Sequence, residues 1–440
     1  MIIMQQNSDN NSADLQKRDQ DHIWHPFSSL VPVPSMPVLP VVKGEGVWLF
    51  TDDGRKILDG ISSWWVNLHG HANPHIAGAI AKQAQILEQV IFAGFTHPGA
   101  VKLAEQLLPL LPGKQQLLFY SDNGSTSVEV ALKMALQYWY NQQQPRSRII
   151  AIEGAYHGDT FGAMAVGERG GFNRPFEEHL FKVDFIPFPQ NGKEAETIVT
   201  FKALLKEGDT AAFIFEPLVQ GSAGMRMYQP EVLDKLMALA HAAGVLCIAD
   251  EVMTGFGRTG KLFACHYLQE APDLICMSKG ITGGFMPLGV TACTEAVASV
   301  FREADPGKTF YHGHSYTANP LACAAALASL ELILAEACTA QLRMIAEQHR
   351  LFAEKAGNHV AVKEIRYRGT LLAIELKTAE GTSYHNSRRN RLYQYFLEKD
   401  ILLRPLGNVL YLMPPYVISK DELHCVYSAI EELLAVWLEW

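Results

Sequence analysis

The chain has 440 residues, 48% hydrophobic and 19% charged, with a formal net charge of −9. This is the composition of a soluble globular protein of one very large domain or two to three ordinary ones, and its acidic balance offers no basic footprint for nucleic acid or an anionic membrane. No apolar run approaches the ~20 residues of a membrane span, and the polar first 20 residues lack the apolar core of a signal peptide. The seven cysteines (247, 265, 276, 293, 323, 338, 425) are scattered, mostly inside apolar runs and without zinc spacing. A cytoplasmic protein with buried thiols and no metal is expected. The Asn-x-Ser matches at Asn10 and Asn123 then carry no meaning as glycosylation sites.

Residues 1–20 read as a frayed tail, and the aromatic, proline-punctuated segment from His22 through Pro40 as extended chain. Val47–Phe50, the turn Asp52-Asp53-Gly54 and Lys56–Leu58 predict a β-hairpin. Trp64 and Trp65 follow; on a strand they would point to opposite faces, either both into a core or one into a pocket. From Pro74 to about residue 330 strands and helices alternate. Helical spacing covers 76–90 and 98–110; Leu117–Tyr120 is strand-like and leads through Gly124, Ser125 and Thr126 into a helix with one apolar face. A strand, a Gly-Ser-Thr turn and a helix N-terminus make either an anion site or an ordinary N-cap.

Arg148–Ile152 is a strand, followed by Tyr156 and His157, either of which could stack on a flat ring. Strands at 183–186 and 211–215 continue the series, the second ending at Glu216, and a helix over 231–243 stops at Gly244. This alternation predicts a mostly parallel sheet covered by helices on both faces. Val245–Ala249 then ends in Asp250-Glu251, and Leu274–Met277 ends in Ser278-Lys279-Gly280. Taken singly, Lys279 could be a solvated loop lysine and Asp250 a helix cap. Together at neighbouring strand ends, they suit pyridoxal phosphate, which needs an amine for its aldehyde and an anion for its ring nitrogen.

Gly255-Phe-Gly257-Arg-Thr-Gly260-Lys261 resembles two nucleotide-binding patterns and satisfies neither: no helix opens at Gly260, and Leu262 replaces the hydroxyl residue that would hold Mg²⁺. Asn319 and Pro320 open an alanine-rich helix to 335. Beyond residue 340, strands near 370–376, 401–404 and 409–412 alternate with helices at 389–399 and 421–438, the last followed by Trp440. This predicts a smaller α+β domain, and hence a division into an N-terminal segment 1–74, a large domain 75–335 and a small domain 336–440. Arg404 ends a strand, where it suits either a substrate carboxylate or a surface ion pair.

Ile248–Gly260, the lysine block and Asn319-Pro-Leu321 together resemble the signature of the class III aminotransferases, of the type I pyridoxal-phosphate transferase fold. Trp24-His-Pro26, Asp59–Trp65, Tyr156–Met164, Val219–Gly221, Gly224–Tyr228, Gly257–Cys265 and Tyr411–Tyr416 are most similar to the branch that serves biotin synthesis. The match covers about residues 22 to 420. The resemblance implies pyridoxal 5'-phosphate as cofactor, S-adenosylmethionine as amino donor and 8-amino-7-oxononanoate as acceptor. It implies Lys279 as the covalent anchor and base, Asp250 as partner of the ring nitrogen and Tyr156 as the stacking residue, with His157 and Glu216 beside the cofactor. Gly124 and Ser125 would bind the phosphate, with Ser315 reaching in from the second subunit of a homodimer. Trp64, Trp65, Phe27, Gly313, Arg404 and Tyr411 would shape the substrate pocket, Arg404 taking the acceptor's carboxylate. Two positions depart from the family pattern: Phe27 stands where tyrosine is common, and Ser315 where threonine is. Alternatives are an ω-aminotransferase acting on ornithine, 4-aminobutyrate or a diamine, lysine as the donor, or a non-catalytic cofactor-binding regulator.

Overall fold

The computed structural model describes residues 12–31, 33, 36–190 and 192–439. Near the N-terminus β1 (Val41–Glu45), β2 (Trp48–Thr51) and β3 (Lys56–Asp59) form an antiparallel meander. The predicted hairpin is its second half. The strands that follow are β4 (Gln115–Ser121), β5 (Arg148–Ile152), β6 (Asp184–Ile186), β7 (Thr210–Phe215), the short pair β8 (Val219–Gln220) and β9 (Arg226–Met227), β10 (Leu246–Asp250), β11 (Leu274–Met277) and β12 (Gly289–Thr294). Seven of them make one sheet in the order β4-β12-β11-β10-β7-β5-β6, in which only β12 runs against the rest. The mostly parallel α/β sheet is as predicted. Its central strands β7, β10 and β11 are buried along their whole length, because helices cover both faces.

Toward the C-terminus β13 (Val362–Arg368), β14 (Leu371–Leu376) and β16 (Val409–Leu412) form an antiparallel sheet. β15 (Ile401–Leu402) instead joins the N-terminal meander, parallel to β3. That pairing brings Arg404 and residues 59–65 to one place. Helices Arg389–Glu398 and Lys420–Val436 lie close to the predicted spans.

Several local expectations need correction. Residues 12–22, which span the second half of the expected tail and run to the start of the expected extended segment, form a helix with i,i+4 pairs such as Lys17–Asp21 at 2.8 Å; residues 1–11 lie outside the described residues, as does Trp440. Trp64 and Trp65 lie on a tight turn over Ser62–Trp65, not a strand, with positive φ at Ser62, Ser63 and Trp65. The buried Asp59 carboxylate causes the bend: it accepts the Ile61 N–H (3.1 Å) and the Ser63 N–H (2.6 Å) and pairs with His71 Nε2 (2.9 Å). The helix expected to reach residue 90 ends at Ala84. β13 went unpredicted because its sequence, Val-Lys-Glu-Ile-Arg-Tyr-Arg, is mostly charged and its outer face is exposed. Five of the seven cysteines are buried and all seven are free thiols. Among the described residues no single helix is long and apolar enough to cross a membrane.

Candidate active site

The carboxyl ends of four adjacent parallel strands converge on one cavity of about 600 Å³. β11 delivers Lys279, β10 delivers Asp250, β7 delivers Glu216, and β5 delivers Tyr156 and His157. Open α/β sheets bind ligands along this edge, because loops leave the strands there without covering it.

Lys279 is the first residue of a one-turn helix and has φ 46°, a left-handed conformation strained for a side chain this long. The turn is pinned by Ser278 Oγ, which donates to the Leu288 carbonyl (2.7 Å). The amine lies 4.7 Å from the Trp65 ring centroid. Burial lowers its pKa below the usual lysine range, against the raising effect of Asp250 and Glu216. The acidic pair at the end of β10 divides its work. Glu251 turns into the core, where it accepts from Thr254 Oγ1 (2.6 Å), the Ala264 N–H (3.1 Å) and the Cys265 N–H (2.7 Å). Asp250 faces the cavity, accepts the Val252 N–H (3.1 Å) and pairs with His157 Nδ1 at 2.6 Å. His157 therefore backs Asp250 rather than offering a stacking face on its own. Glu216 accepts the N–H groups of Tyr156 (3.0 Å) and Gly221 (2.9 Å) and so fixes the turn that carries Tyr156. Burial first, and Asp250 after it, push its carboxyl up to about 7. The Tyr156 phenol is raised by burial and then by Asp159, so it stays protonated.

The far end of the cavity is the N-terminus of helix Gly124–Asn141. Asn123 caps it through a reciprocal pair with Thr126 (3.0 and 2.9 Å), which leaves the Gly124 and Ser125 N–H groups at the open end. Close packing demands the glycines here. A Cβ on Gly124 would lie 2.8 Å from Val252 Cγ1, and one on Gly158, at φ +134°, would lie 2.1 Å from Ser125 Oγ. Ser125 Oγ accepts the Asp159 N–H (3.2 Å). An 18-residue helix with its dipole and free N–H groups aimed into a cavity is suited to an anion such as a phosphate.

A second chamber of about 390 Å³ adjoins the first and shares Trp65, Tyr156, Asp159 and Lys279 with it. Its other walls are aromatic. Phe27 packs against Trp64 (5.5 Å) and Phe172 (5.9 Å), and Phe172 against Tyr384 (4.7 Å). The Arg404 guanidinium sits 4.9 Å from the Trp64 ring. The buried Tyr411 hydroxyl accepts Trp65 Nε1–H at 2.9 Å and so holds the wall between the chambers. Phe27 thus lies in the outer chamber, together with Trp64, Trp65, Arg404 and Tyr411. Gly313 and Ser315 line neither chamber; they lie on an exposed loop. Phe172, Tyr384, Asp159 and Ser222 also line the outer chamber and were not singled out from the sequence. Asp159 falls inside the Tyr156–Met164 motif, whereas no sequence pattern marks Phe172 or Tyr384.

The family model of the class III aminotransferases matches residues 31–434. The chain belongs to that family. This aminotransferase is 53% identical over 421 residues to the adenosylmethionine-8-amino-7-oxononanoate aminotransferase of Synechococcus elongatus, covering 94% of this chain and 98% of the relative. It is 36% identical to the protein of that name from Geobacter sulfurreducens, with 96% and 98% covered. Among solved structures it is similar to the adenosylmethionine-8-amino-7-oxononanoate aminotransferase of Methanocaldococcus jannaschii, at 34% identity and a TM-score of 0.90, covering 96% and 99% of the two chains. It also resembles an amine transaminase from an uncultivated Pseudomonas species, solved in its PLP-bound form, at 30% identity and a TM-score of 0.86 over 94% and 98% of the chains.

Proposed function

We propose that this aminotransferase moves an amino group from S-adenosylmethionine to 8-amino-7-oxononanoate, giving 7,8-diaminononanoate for biotin synthesis, with pyridoxal 5'-phosphate as cofactor. The observation that carries the reading is the meeting of Lys279 and Asp250 in one cavity whose far end is a helix N-terminus. The residues present fit the cofactor: an amine for its aldehyde, a carboxylate for its ring nitrogen, N–H groups for its phosphate and Tyr156 for its ring. The names of relatives at 53% and 36% identity support the substrate pair.

When bound, pyridoxal phosphate supplies an aldehyde that takes up amino groups and a ring that accommodates the electrons left by a departing proton. The chain's own groups do the rest. Lys279, with its pKa lowered by burial, is neutral more often than a free lysine and so accepts the donor's α-proton. It then returns a proton to the carbon that carried the acceptor's ketone. Asp250, held by His157, would set its carboxyl group against the ring nitrogen. Arg404, which lines the outer chamber, takes the acceptor's carboxylate through two parallel N–H bonds. The aromatic walls keep water away from the transferred proton.

The same reading makes 75–335 the cofactor-binding unit, with 1–74 joining 336–440 as the smaller one. It also makes the active form a cytoplasmic homodimer in which the exposed Gly313–Ser315 loop serves the partner's cavity. The test is product formation from purified protein, pyridoxal phosphate, S-adenosylmethionine and 8-amino-7-oxononanoate, read by mass spectrometry. The diamine should form. Turnover of ornithine or 4-aminobutyrate in its place would give the site to an ω-aminotransferase, and a requirement for lysine would replace the donor.

A further inference from the structure

At the sheet edge opposite Lys279, three elements bring His241, Cys247 and Asp273 together. His241 lies in the last turn of helix Pro230–Ala242, Cys247 lies on β10, and Asp273 immediately precedes β11. One ligand atom from each lies within 4.8 Å of the other two. His241 Nε2 is 3.3 Å from Asp273 Oδ2. Tetrahedral zinc with bonds of ~2.0–2.1 Å sets such a nitrogen and oxygen ~3.3–3.4 Å apart, so the pair already has the right separation. The other ring nitrogen, Nδ1, is 2.9 Å from Glu270 Oε2. A metal-binding imidazole is commonly oriented in this way, by giving its second N–H to a carboxylate. The backbone fixes the frame: the Cys247 N–H donates to Asp273 Oδ2 (2.8 Å) and the Asp273 N–H to the Cys247 carbonyl (2.9 Å). Cys247 is buried, while the His241 and Asp273 side chains are 30% and 20% exposed, so solvent reaches the two outer ligands.

We propose that His241 Nε2, Cys247 Sγ and a carboxylate oxygen of Asp273 form a binding site for a zinc-class divalent cation, with Glu270 orienting His241. A thiolate and an imidazole select zinc over the hard magnesium and calcium ions, which take oxygen ligands. On loading, the Cys247 thiol releases its proton to solvent as the sulfur–metal bond forms, and any proton that His241 Nε2 shares with Asp273 leaves as well, so that Nε2 binds through its lone pair. The ion would clip the end of helix 230–242 to the starts of β10 and β11, at the edge of the sheet away from both chambers. Sequence spacing hides the site, because its ligands come from positions 241, 247 and 273 and match no zinc motif.

The experiment is equilibrium dialysis of the full chain, purified with its cofactor, against buffered Zn²⁺, with bound metal read by atomic emission. One ion per chain is expected. His241→Ala and Cys247→Ala should each lose it, and Glu270→Gln should weaken binding by ~10–100-fold. The cofactor's visible absorption reports whether each variant is folded. If Cys247→Ala does not fold, His241→Ala decides alone, because its side chain is partly exposed. No zinc retained by the parent, or full zinc retained by His241→Ala, would overturn the site.

Discussion

The inner and outer chambers share four residues and are built in opposite ways. The inner one is made of charged groups at the ends of adjacent strands, each fixed by backbone: Asp250 by the Val252 N–H, and Glu216 by the N–H groups of Tyr156 and Gly221. The outer one is made of half-exposed rings from segments far apart in the chain, Phe27, Trp64, Phe172 and Tyr384, with Arg404 among them. A rigid charged chamber suits chemistry common to every turn of the reaction. A wall of adaptable rings suits a site that must admit two dissimilar substrates in alternation. Damage to the inner chamber should therefore disable both half-reactions, and damage to the outer one should separate them.

The largest effect is expected at Lys279. Lys279→Ala should fold yet lose both half-reactions, by more than the ~10²–10⁴-fold of a proton-transfer group alone, since the covalent anchor goes as well. Single-turnover spectra with each substrate measure this, and retained turnover in either half would break the inner–outer division. Asp250→Asn keeps the shape but not the charge, and should slow both halves by ~10²–10³-fold, the usual cost of removing one electrostatic contact from a site. A loss confined to one substrate would contradict it.

Glu216 offers a pH test of the inner chamber. Its carboxyl is raised from the ordinary 4.5 to about 7, so between those values the folded chain holds a proton that the unfolded chain has released. The associated stability is present below pH 4.5 and is lost as pH rises toward 7, by roughly 3 kcal/mol in all. Glu216→Gln should flatten that slope in urea denaturation across the range; an unchanged slope would remove Glu216 as its source.

The outer chamber should respond selectively. Removing a charge-assisted contact costs ~1.5–3 kcal/mol, so Arg404→Ala should weaken 8-amino-7-oxononanoate by roughly 10- to 150-fold and S-adenosylmethionine much less. Equal losses in both half-reactions would erase the distinction between the chambers. The smallest effect is expected at Phe27, whose ring packs on Trp64 and Phe172. Phe27→Tyr should keep that packing and add one hydroxyl, speeding the donor half-reaction by about two- to twelve-fold if it finds a partner. A variant no faster than the parent would mean that the wall is already complete without it.

The same contrast explains what the sequence made legible. Lys279, Asp250, Glu216 and Tyr156 lie at or just past the ends of short buried strands, a pattern visible in the sequence, but only the family resemblance assigned Glu216 and Tyr156 to one site with the other two. At Gly124 and Ser125 the strand, turn and helix N-terminus were legible, but an ordinary N-cap fits that pattern equally well and only the resemblance pointed to a phosphate. The outer chamber depends on β15 leaving its neighbours to pair with β3, a contact across more than 300 residues that no local pattern announces. Phe172 and Tyr384 reach the chamber from loops, and nothing distinguishes them from other aromatics until the fold is known. The Ser62–Trp65 turn escaped because its cause, the Asp59 carboxylate accepting two N–H groups, is a tertiary hydrogen-bond pattern rather than a propensity. Ser315 marks a different boundary, since the role that the resemblance implies for it is played across a subunit interface, which one chain does not contain.

The most direct test of the central claim is to load the protein with pyridoxal phosphate, reduce it with borohydride and map the modified peptide by mass spectrometry. The cofactor should be found on Lys279, in the peptide that follows β11, and on no other lysine. Attachment at a different lysine would contradict the placement of the reaction at the meeting of β10 and β11.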